Sequence, residues 1–504
     1  MSPRAALAAL LLSAAGAALA AACTEVTPAP ARSEARPMGI FSTHLPSNPR
    51  DHMRLALEQD ARRREQRFLD AASPLSMWRA TRVDPRELSN GRFTPDEAFQ
   101  IGAQIFNHRF TREVGLGGAD RPGMSRFHKG RRGGPDAFRC SDCHWRGGLA
   151  GGGDAADSAY LQGDGDRQDS ALARTPIALV GAGWVELVAR EMTAELARID
   201  RALVASARKD GARRIARLVV MGVDFGVLAA TSSGERDTSG VVGVDADLVV
   251  RPFGHKGTFA TLRDAVEDEL AVHHGMQTTH LARTGGAARV GPFGGDDPDG
   301  DGVVDEIAEG QLSALTLYVA MQEVPVVSFP PYSRGMFPDH NTTRQWQQGK
   351  VLFRAIGCAS CHVPEMHVSS TVYVLPGRNG ASDVSVDLST QGGEPRLAAG
   401  ADGHADVPLF SDLKRHDMGP DLAEPRADRG VDGRLFVTRP LWGLARSRPY
   451  LHDARAPTME DAIRAHDGEA RQARVAFERL TEPDRGTIRI FLTSLTRARR
   501  FTVR

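Results

Sequence analysis

The chain has 504 residues, 41% of them hydrophobic, and carries 63 basic against 63 acidic residues. That length holds more than one buried core, and the balanced charge removes the electrostatic reason to expect a nucleic-acid partner. In chain order, residues 1–22 read as an export signal: Arg4, an alanine and leucine core, then small residues. The core is short for a bilayer crossing, and no later segment approaches the ~18 unbroken apolar residues that a spanning helix needs.

Leu19 to Cys23 is similar to a bacterial lipoprotein processing site, in which Cys23 would be acylated and become the mature N-terminus. Plain cleavage near this point is the alternative. Thr24, in place of an aspartate, does not favour inner-membrane retention, so the expected location is the periplasm, lipid-anchored at the outer membrane. Residues 23–90 follow as a Pro/Ala-rich tether and an N-terminal helical segment. Export normally brings disulfides. Of the five cysteines, however, one belongs to the leader and four form two CxxCH units, which leaves none for a bridge.

Those units are Cys140, Cys143 and His144 in "FRCSDCHWRG", and Cys358, Cys361 and His362 in "IGCASCHVPE". The spacing suits thioether bonds from two sulfurs to the vinyl groups of one haem, with the following imidazole delivered beneath the iron. A zinc site would want further cysteines nearby, and a thioredoxin-like pair does not need the histidine. Two covalent c-type haems are therefore the expected cofactors.

Each motif follows an amphipathic helix. "TPDEAFQIGAQIF" opens with a capping box, Thr94 to Glu97, and Pro95 at its first turn; "NTTRQWQQGKVLF" precedes the second motif. Both carry a glycine, an aliphatic residue and Phe at matching places: Gly102, Ile105 and Phe106, then Gly349, Leu352 and Phe353. "SALTLYVAMQEVP" and "GTIRIFLTSLT" read as matching closing helices, each glycine face packing closely on a partner helix. The first module, 91–328, differs by large insertions. These are a Gly/Arg-rich loop before Cys140, helical runs at "WVELVAREMTAELARIDRALVASARK" and "FATLRDAVEDELAVHH", and a β-prone stretch "GVVGVDADLVVRPF". A linker, 329–340, leads to the second module, 341–504. Just ahead of the linker, "DDPDGDGVVDEI" places Asp297, Asp299, Asp301 and Asp305 around Gly302, the pattern of an oxygen-ligand calcium loop. Its last expected carboxylate position falls on Ala308, and a solvated acidic turn is the alternative.

"LFRAIGCASCHVPEM", "SDLKRHDMGPDLAE", "RPLWGLARSRPYLHDARAPTMEDAIRAHDGEA" and "FLTSL" resemble the di-haem oxidoreductase family, related to bacterial di-haem cytochrome c peroxidases and to the methylamine-dehydrogenase maturation enzyme. The likeness extends through "TPIALVGAGWVELV" and "RPFGHKGTFATLRDAVEDELAVHHGMQT", with His255 and Ala454 departing from the family pattern. It implies a mainly α fold of two cytochrome c-like domains with facing haems, one relaying electrons and one meeting peroxide. It also implies calcium near the junction and a redox partner protein as donor. His144 and His362 are the proximal ligands. For the second haem the distal candidate is Met418, with His416 as rival and a core methionine as the bland reading. For the first haem, Met276, His274, His128 and an open position compete, with Met276 matching the family segment. Trp145 and Trp442 are candidate interhaem aromatics, and Tyr450 and His452 are candidate pocket residues. Three functions remain: a peroxide-reacting oxidoreductase, a pure electron-transfer cytochrome, and a module in which haem is structural.

Overall fold

The computed structural model describes residues 75–117, 127–128, 131–132, 134–162, 170–284, 297, 299–327 and 340–497. The export signal, Cys23, much of the tether and nearly all of the 329–340 linker lie outside the described residues. All described residues fall within the unit Ser42–Arg504. Among them no helix is long and apolar enough to cross a membrane.

Helix α1 (Pro95–Asn107) begins as its sequence dictates. Thr94 Oγ1 accepts from the Glu97 amide at 3.2 Å, while Glu97 accepts from the Thr94 amide at 2.7 Å, so two otherwise orphaned donors are satisfied. The long α2 (Ala182–Asp210) ends at the left-handed Gly211. Next come β1 (Arg214–Val220) and β2 (Val223–Ala230), which form a hairpin around Met221 and Gly222, both at positive φ. Helix α3 (Leu262–Glu269) runs into a π turn, Leu270–His274. Helix α4 (Glu309–Ala320) closes the first module; α5 (His340–Ala355) opens the second. Short antiparallel strand pairs follow, including β3 (Met366–Val368) against β4 (Ala405–Val407) and β5 (Arg415–Asp417) against β6 (Leu435–Val437). Helices α6 (Met459–Ala465) and α7 (Glu482–Thr493) complete the fold.

The two halves share one packing device. A Cβ added at Gly102 in α1 would lie 2.2 Å from the Ala314 carbonyl of α4, and one at Gly349 in α5 would lie 2.1 Å from the Thr487 carbonyl of α7. Backbone meets backbone at both crossings, so only glycine fits. Phe106 then stacks at 5.0 Å on Tyr318, and Phe353 at 5.3 Å on Phe491, centroid to centroid. Gly349→Ala is expected to destabilise the holoprotein by about 1–3 kcal/mol through overpacking; a thermal midpoint unchanged from wild type rejects the close-approach argument.

Strand content is larger than a mainly α reading foresees, because the segment between β3 and β6 is built of short hairpins. The β-prone "GVVGVDADLVVRPF" forms only isolated bridges, at Val241 and Phe253. Asp245 and Asp247 turn the chain there: the Leu248 amide donates to the Asp245 carbonyl, the Val249 amide to Asp247 Oδ1, and Leu248 sits at φ 61°.

Candidate haem site

Both CxxCH motifs adopt the same backbone. Cys140–Asp142 and Cys358–Ser360 are single 3-10 turns. His144 N donates to Cys140 O at 3.0 Å and His362 N to Cys358 O at 2.9 Å. The turn brings each histidine back under its cysteines. Phe106 flanks His144 at 6.3 Å between ring centroids, and Phe353 flanks His362 at 6.5 Å, so each glycine helix supports its own motif.

The two motifs line one cavity of ≈ 1100 Å³, at the large end for a ligand site. His144 Nδ1 donates to the Ile177 carbonyl at 2.9 Å, and His362 Nδ1 to the Phe410 carbonyl at 3.1 Å. These bonds select the tautomer whose Nε2 lone pair is free to bind metal. Burial pushes His362 down to about 4 and lowers His144 as well, so both rings are neutral, as ligation requires. The four cysteines are unbridged. Burial, with Asp142 nearby, pushes the Cys140 thiol up to about 12, and burial does the same to Cys358. Such thiols carry no thiolate at neutral pH, which removes the thioredoxin-like reading. Arg439 also lines the cavity, and its Nε and one terminal nitrogen are shut off from solvent without a protein partner. A buried guanidinium so placed calls for an anion, and a haem propionate supplies one. The donor set therefore fits two haems.

The distal sides differ. His466, at the end of α6, stands with its ring centroid 6.4 Å from that of His362. Two metal–nitrogen bonds of about 2.0–2.1 Å, plus about 1.1 Å from nitrogen to ring centre on each side, give roughly 6.3 Å. His466 Nδ1 donates to the Ala462 carbonyl at 2.7 Å, which again leaves Nε2 for the cavity. Met418 lines the same cavity on the loop after β5. The rival His416 is consumed: its Nε2 meets Asp412 at 2.8 Å and its Nδ1 meets Glu469 at 2.7 Å. The same bonds argue against a zinc site at the nearby Cys361, Asp412 and His416. His466 is not among the ligand candidates that the sequence offers; its place as the cap residue of a helix downstream of the motif is the signal for it.

Around His144 no second imidazole lies at that spacing among the described residues. Instead the π turn at the end of α3 presents Glu269 and His273, both on the cavity wall. His273 Nε2 meets Glu269 Oε2 at 2.7 Å, and Nδ1 meets Asp136 Oδ2 at 2.9 Å. Burial by itself would lower His273, but Glu269 and Asp136 outweigh it and raise the ring well above its ordinary value. Burial would likewise raise Glu269, but the His273 charge holds it below the usual carboxylate range. Glu269 leaves 54% of its side chain exposed, toward the cavity it lines. His274 is also on the wall, its Nδ1 held by the Ala137 carbonyl at 2.9 Å. Met276 corrects the sequence expectation: left-handed Gly275 ends the helix, and Met276 folds into the apolar core at 0% exposure, off the cavity wall. His128 falls in a two-residue strand whose side chains are outside the described residues.

Trp442 and Tyr450 are buried in the cavity wall, with Trp442 pressed onto Gly181. Phe436 and His452 lie 4.5 Å apart on the same wall, and His255 Nε2 meets the Thr175 carbonyl at 2.9 Å. Trp145 does not itself line the cavity; its Nε1 donates to the wall residue Asp157 at 2.6 Å.

Away from the cavity, Asp297, Asp299 and Asp301 bring carboxylate oxygens within 4.8 Å of one another. Asp305 does not join them. Its backbone is left-handed, at φ 50°, and its carboxylate instead meets Thr279 at 3.2 Å and Arg283 at 3.5 Å. Its neighbour Glu306 is 1% exposed, with Oε1 unpartnered, and burial together with the three aspartates pushes its carboxyl up to about 10.

With this geometry in hand, comparison with known proteins becomes informative. Residues 338–495 match the family model described as "Di-haem oxidoreductase, putative peroxidase". No curated protein matches the chain. Among solved structures, hydrazine synthase from Kuenenia stuttgartiensis aligns at 18% identity over 38% of this chain and 57% of its own, with a TM-score of 0.23. A MauG-like protein associated with microbial copper homeostasis aligns at 15% identity over 54% of this chain and 77% of its own, with a TM-score of 0.26. The chain thus spans little more than half the length of the hydrazine synthase chain. The matched residues contain Cys358, Cys361 and His362, and the matched family is described as di-haem. Cys140, Cys143 and His144 lie outside the matched residues and line the same cavity.

Proposed function

We propose that this chain is an exported di-haem c-type oxidoreductase built from two cytochrome c-like modules whose haems face one another, one relaying electrons and the other reacting with peroxide. The observation that carries the reading is the asymmetry of a single cavity: His466 closes the side of His362, whereas a hydrogen-bonded Glu269, His273 and Asp136 cluster borders the side of His144. When bound, the haems would supply electron storage and peroxide activation.

The chain's own residues do the rest. Cys140, Cys143, Cys358 and Cys361 anchor the macrocycles, His144 and His362 bind through Nε2, and Arg439 receives a propionate. Glu269, through the carboxylate oxygen not engaged by His273, is placed to accept a peroxide proton and to return it to the departing oxygen. Asp136 fixes the His273 ring, and His273 keeps Glu269 ionised. Trp442 bridges the wall between the motifs and excludes water there.

The leader and Cys23 support a periplasmic location with a lipid anchor, and a redox partner protein is proposed as electron donor. Calcium is proposed at Asp297, Asp299, Asp301 and Glu306, where a hard cation would neutralise crowded carboxylates. At calcium near 100 times its Kd, the bound ion adds about 2.7 kcal/mol. Chelated holoprotein is therefore expected to gain several degrees of thermal midpoint on adding calcium chloride, and no gain rejects the site.

The alternative is a pure electron-transfer di-haem cytochrome without its own substrate. His274 favours it, because its Nδ1 bond to Ala137 leaves Nε2 available on the cavity wall. Absorption spectra of oxidised and half-reduced holoprotein, with and without hydrogen peroxide, separate the two. A high-spin band that peroxide perturbs supports the enzyme; two low-spin haems indifferent to peroxide support the relay.

A further inference from the structure

Between β5 and β6, residues 428–431 form a tight turn whose tip reaches from the second module into the first. The Asp428 amide donates to the Val431 carbonyl at 3.0 Å, and the Val431 amide to the Asp428 carbonyl at 2.9 Å. Both central residues sit at positive φ, Arg429 at 50° and Gly430 at 82°, as a type I′ turn requires. Glycine, asparagine or aspartate suits the first of those places, and an arginine there is strained. The contacts of its side chain account for it.

Arg429 Nη2 meets Asp268 Oδ2 at 2.5 Å, and the guanidinium lies 4.8 Å from the centre of the Phe259 ring. Asp428, at the start of the turn, meets Arg174 of the first module at 2.9 Å, so the turn is seated on that module twice. Arg429, Asp268 and Phe259 all line the haem cavity.

Asp268 directly precedes Glu269, where α3 passes into the π turn. The helical hydrogen-bond register changes there, so side-chain anchors decide where the turn sits. Its far end is anchored within the first module: the Asp136 amide donates to the His273 carbonyl at 2.9 Å, and Asp136 Oδ2 meets His273 Nδ1 at 2.9 Å. Its near end is anchored from the second module, by Arg429. Glu269 lies between the two anchors, its carboxylate joined to His273.

We propose that Arg429 is a positioning residue for Glu269: it holds Asp268, and with it the start of the π turn, so that the Glu269 carboxylate is presented to the cavity at a fixed place. The inference rests on the peroxide chemistry proposed for Glu269. A displacement of about 1 Å at a reacting group costs on the order of 100-fold in rate.

The test compares holoprotein variants in two measurements: the rate of the half-reduced protein with hydrogen peroxide, and amide hydrogen exchange over residues 262–276. Arg429→Gln and Asp268→Asn should each slow the reaction at least tenfold and speed exchange in that segment, with exchange in α2 and haem absorption unchanged. Arg429→Lys, which can remake the single bond to Asp268, should stay within threefold of wild type. In a Glu269→Gln background, Arg429→Gln should slow the reaction no further, because both changes act through one group. Wild-type rate and exchange in Arg429→Gln overturn the proposal, as does a full additional loss in the Glu269→Gln background. A wild type inert to peroxide overturns the reaction assigned to Glu269, and the exchange data from the same samples then uphold or overturn the anchoring by itself. If Arg429→Gln loses its haem spectrum, Arg429→Asn, which that backbone favours, is read with the same criteria.

Discussion

His466→Ala is expected to remove the low-spin signal of the C-terminal haem from the electron paramagnetic resonance spectrum of the oxidised holoprotein, leaving a high-spin signal in its place. The argument is geometric. The 6.4 Å between the His362 and His466 rings is the span of two imidazoles on one metal, and each ring is held by a backbone carbonyl in the tautomer that ligation needs. Met418→Ala, on the same cavity wall, should leave that signal in place. A loss in the Met418 variant with retention in the His466 variant would return the distal position to methionine. Because His466 ends α6 and exposes its ring to the cavity, alanine costs little packing, and the spectral change can be read on folded protein.

Glu269→Gln should lower the rate at which half-reduced holoprotein reacts with hydrogen peroxide by about 10²–10⁴-fold, the usual worth of a positioned acid–base group. Glutamine keeps the shape and the hydrogen bond to His273 but cannot take a proton. The wild-type rate should also have a distinctive pH profile. Burial would raise the Glu269 carboxyl, but the His273 charge and hydrogen bond outweigh it, so the group titrates below its ordinary 4.5. The ionised base is thus present through neutral pH and down past pH 5, and reactivity should fall only as pH drops below 4.5. A rate that is lost between pH 6 and 7, or a Glu269→Gln variant as fast as wild type, would move the proton transfer to another group. The resting haem spectrum of the variant should match wild type, which distinguishes lost chemistry from lost cofactor.

The Gly102 and Gly349 crossings, the capping box at Thr94 and the cap at Thr458 were all legible in the chain, because each depends on residues close in sequence or on a local steric rule. Both CxxCH turns were legible for the same reason: their ligands are neighbours. The distal residues were not. Met276 resembled a ligand by position, yet the left-handed Gly275 turned it into the core. Asp305 continued an alternating acidic pattern, yet a left-handed backbone swung it to Thr279, and Glu306, out of step with the pattern, is the buried carboxylate that the three aspartates act on.

By itself, then, the amino-acid order determined that this protein has two CxxCH turns, a repeated glycine-faced helix before each, and an acidic loop ahead of the first module's closing helix. Only the tertiary structure decided what comes near each motif histidine: His466, its ring 6.4 Å from that of His362, and the Glu269 and His273 pair on the cavity wall that His144 also lines. The physical reason is sequence distance. A turn is written by adjacent residues, whereas a distal residue arrives from another helix more than a hundred positions away, and its ring or carboxylate is aimed by the carbonyls and charges it meets there.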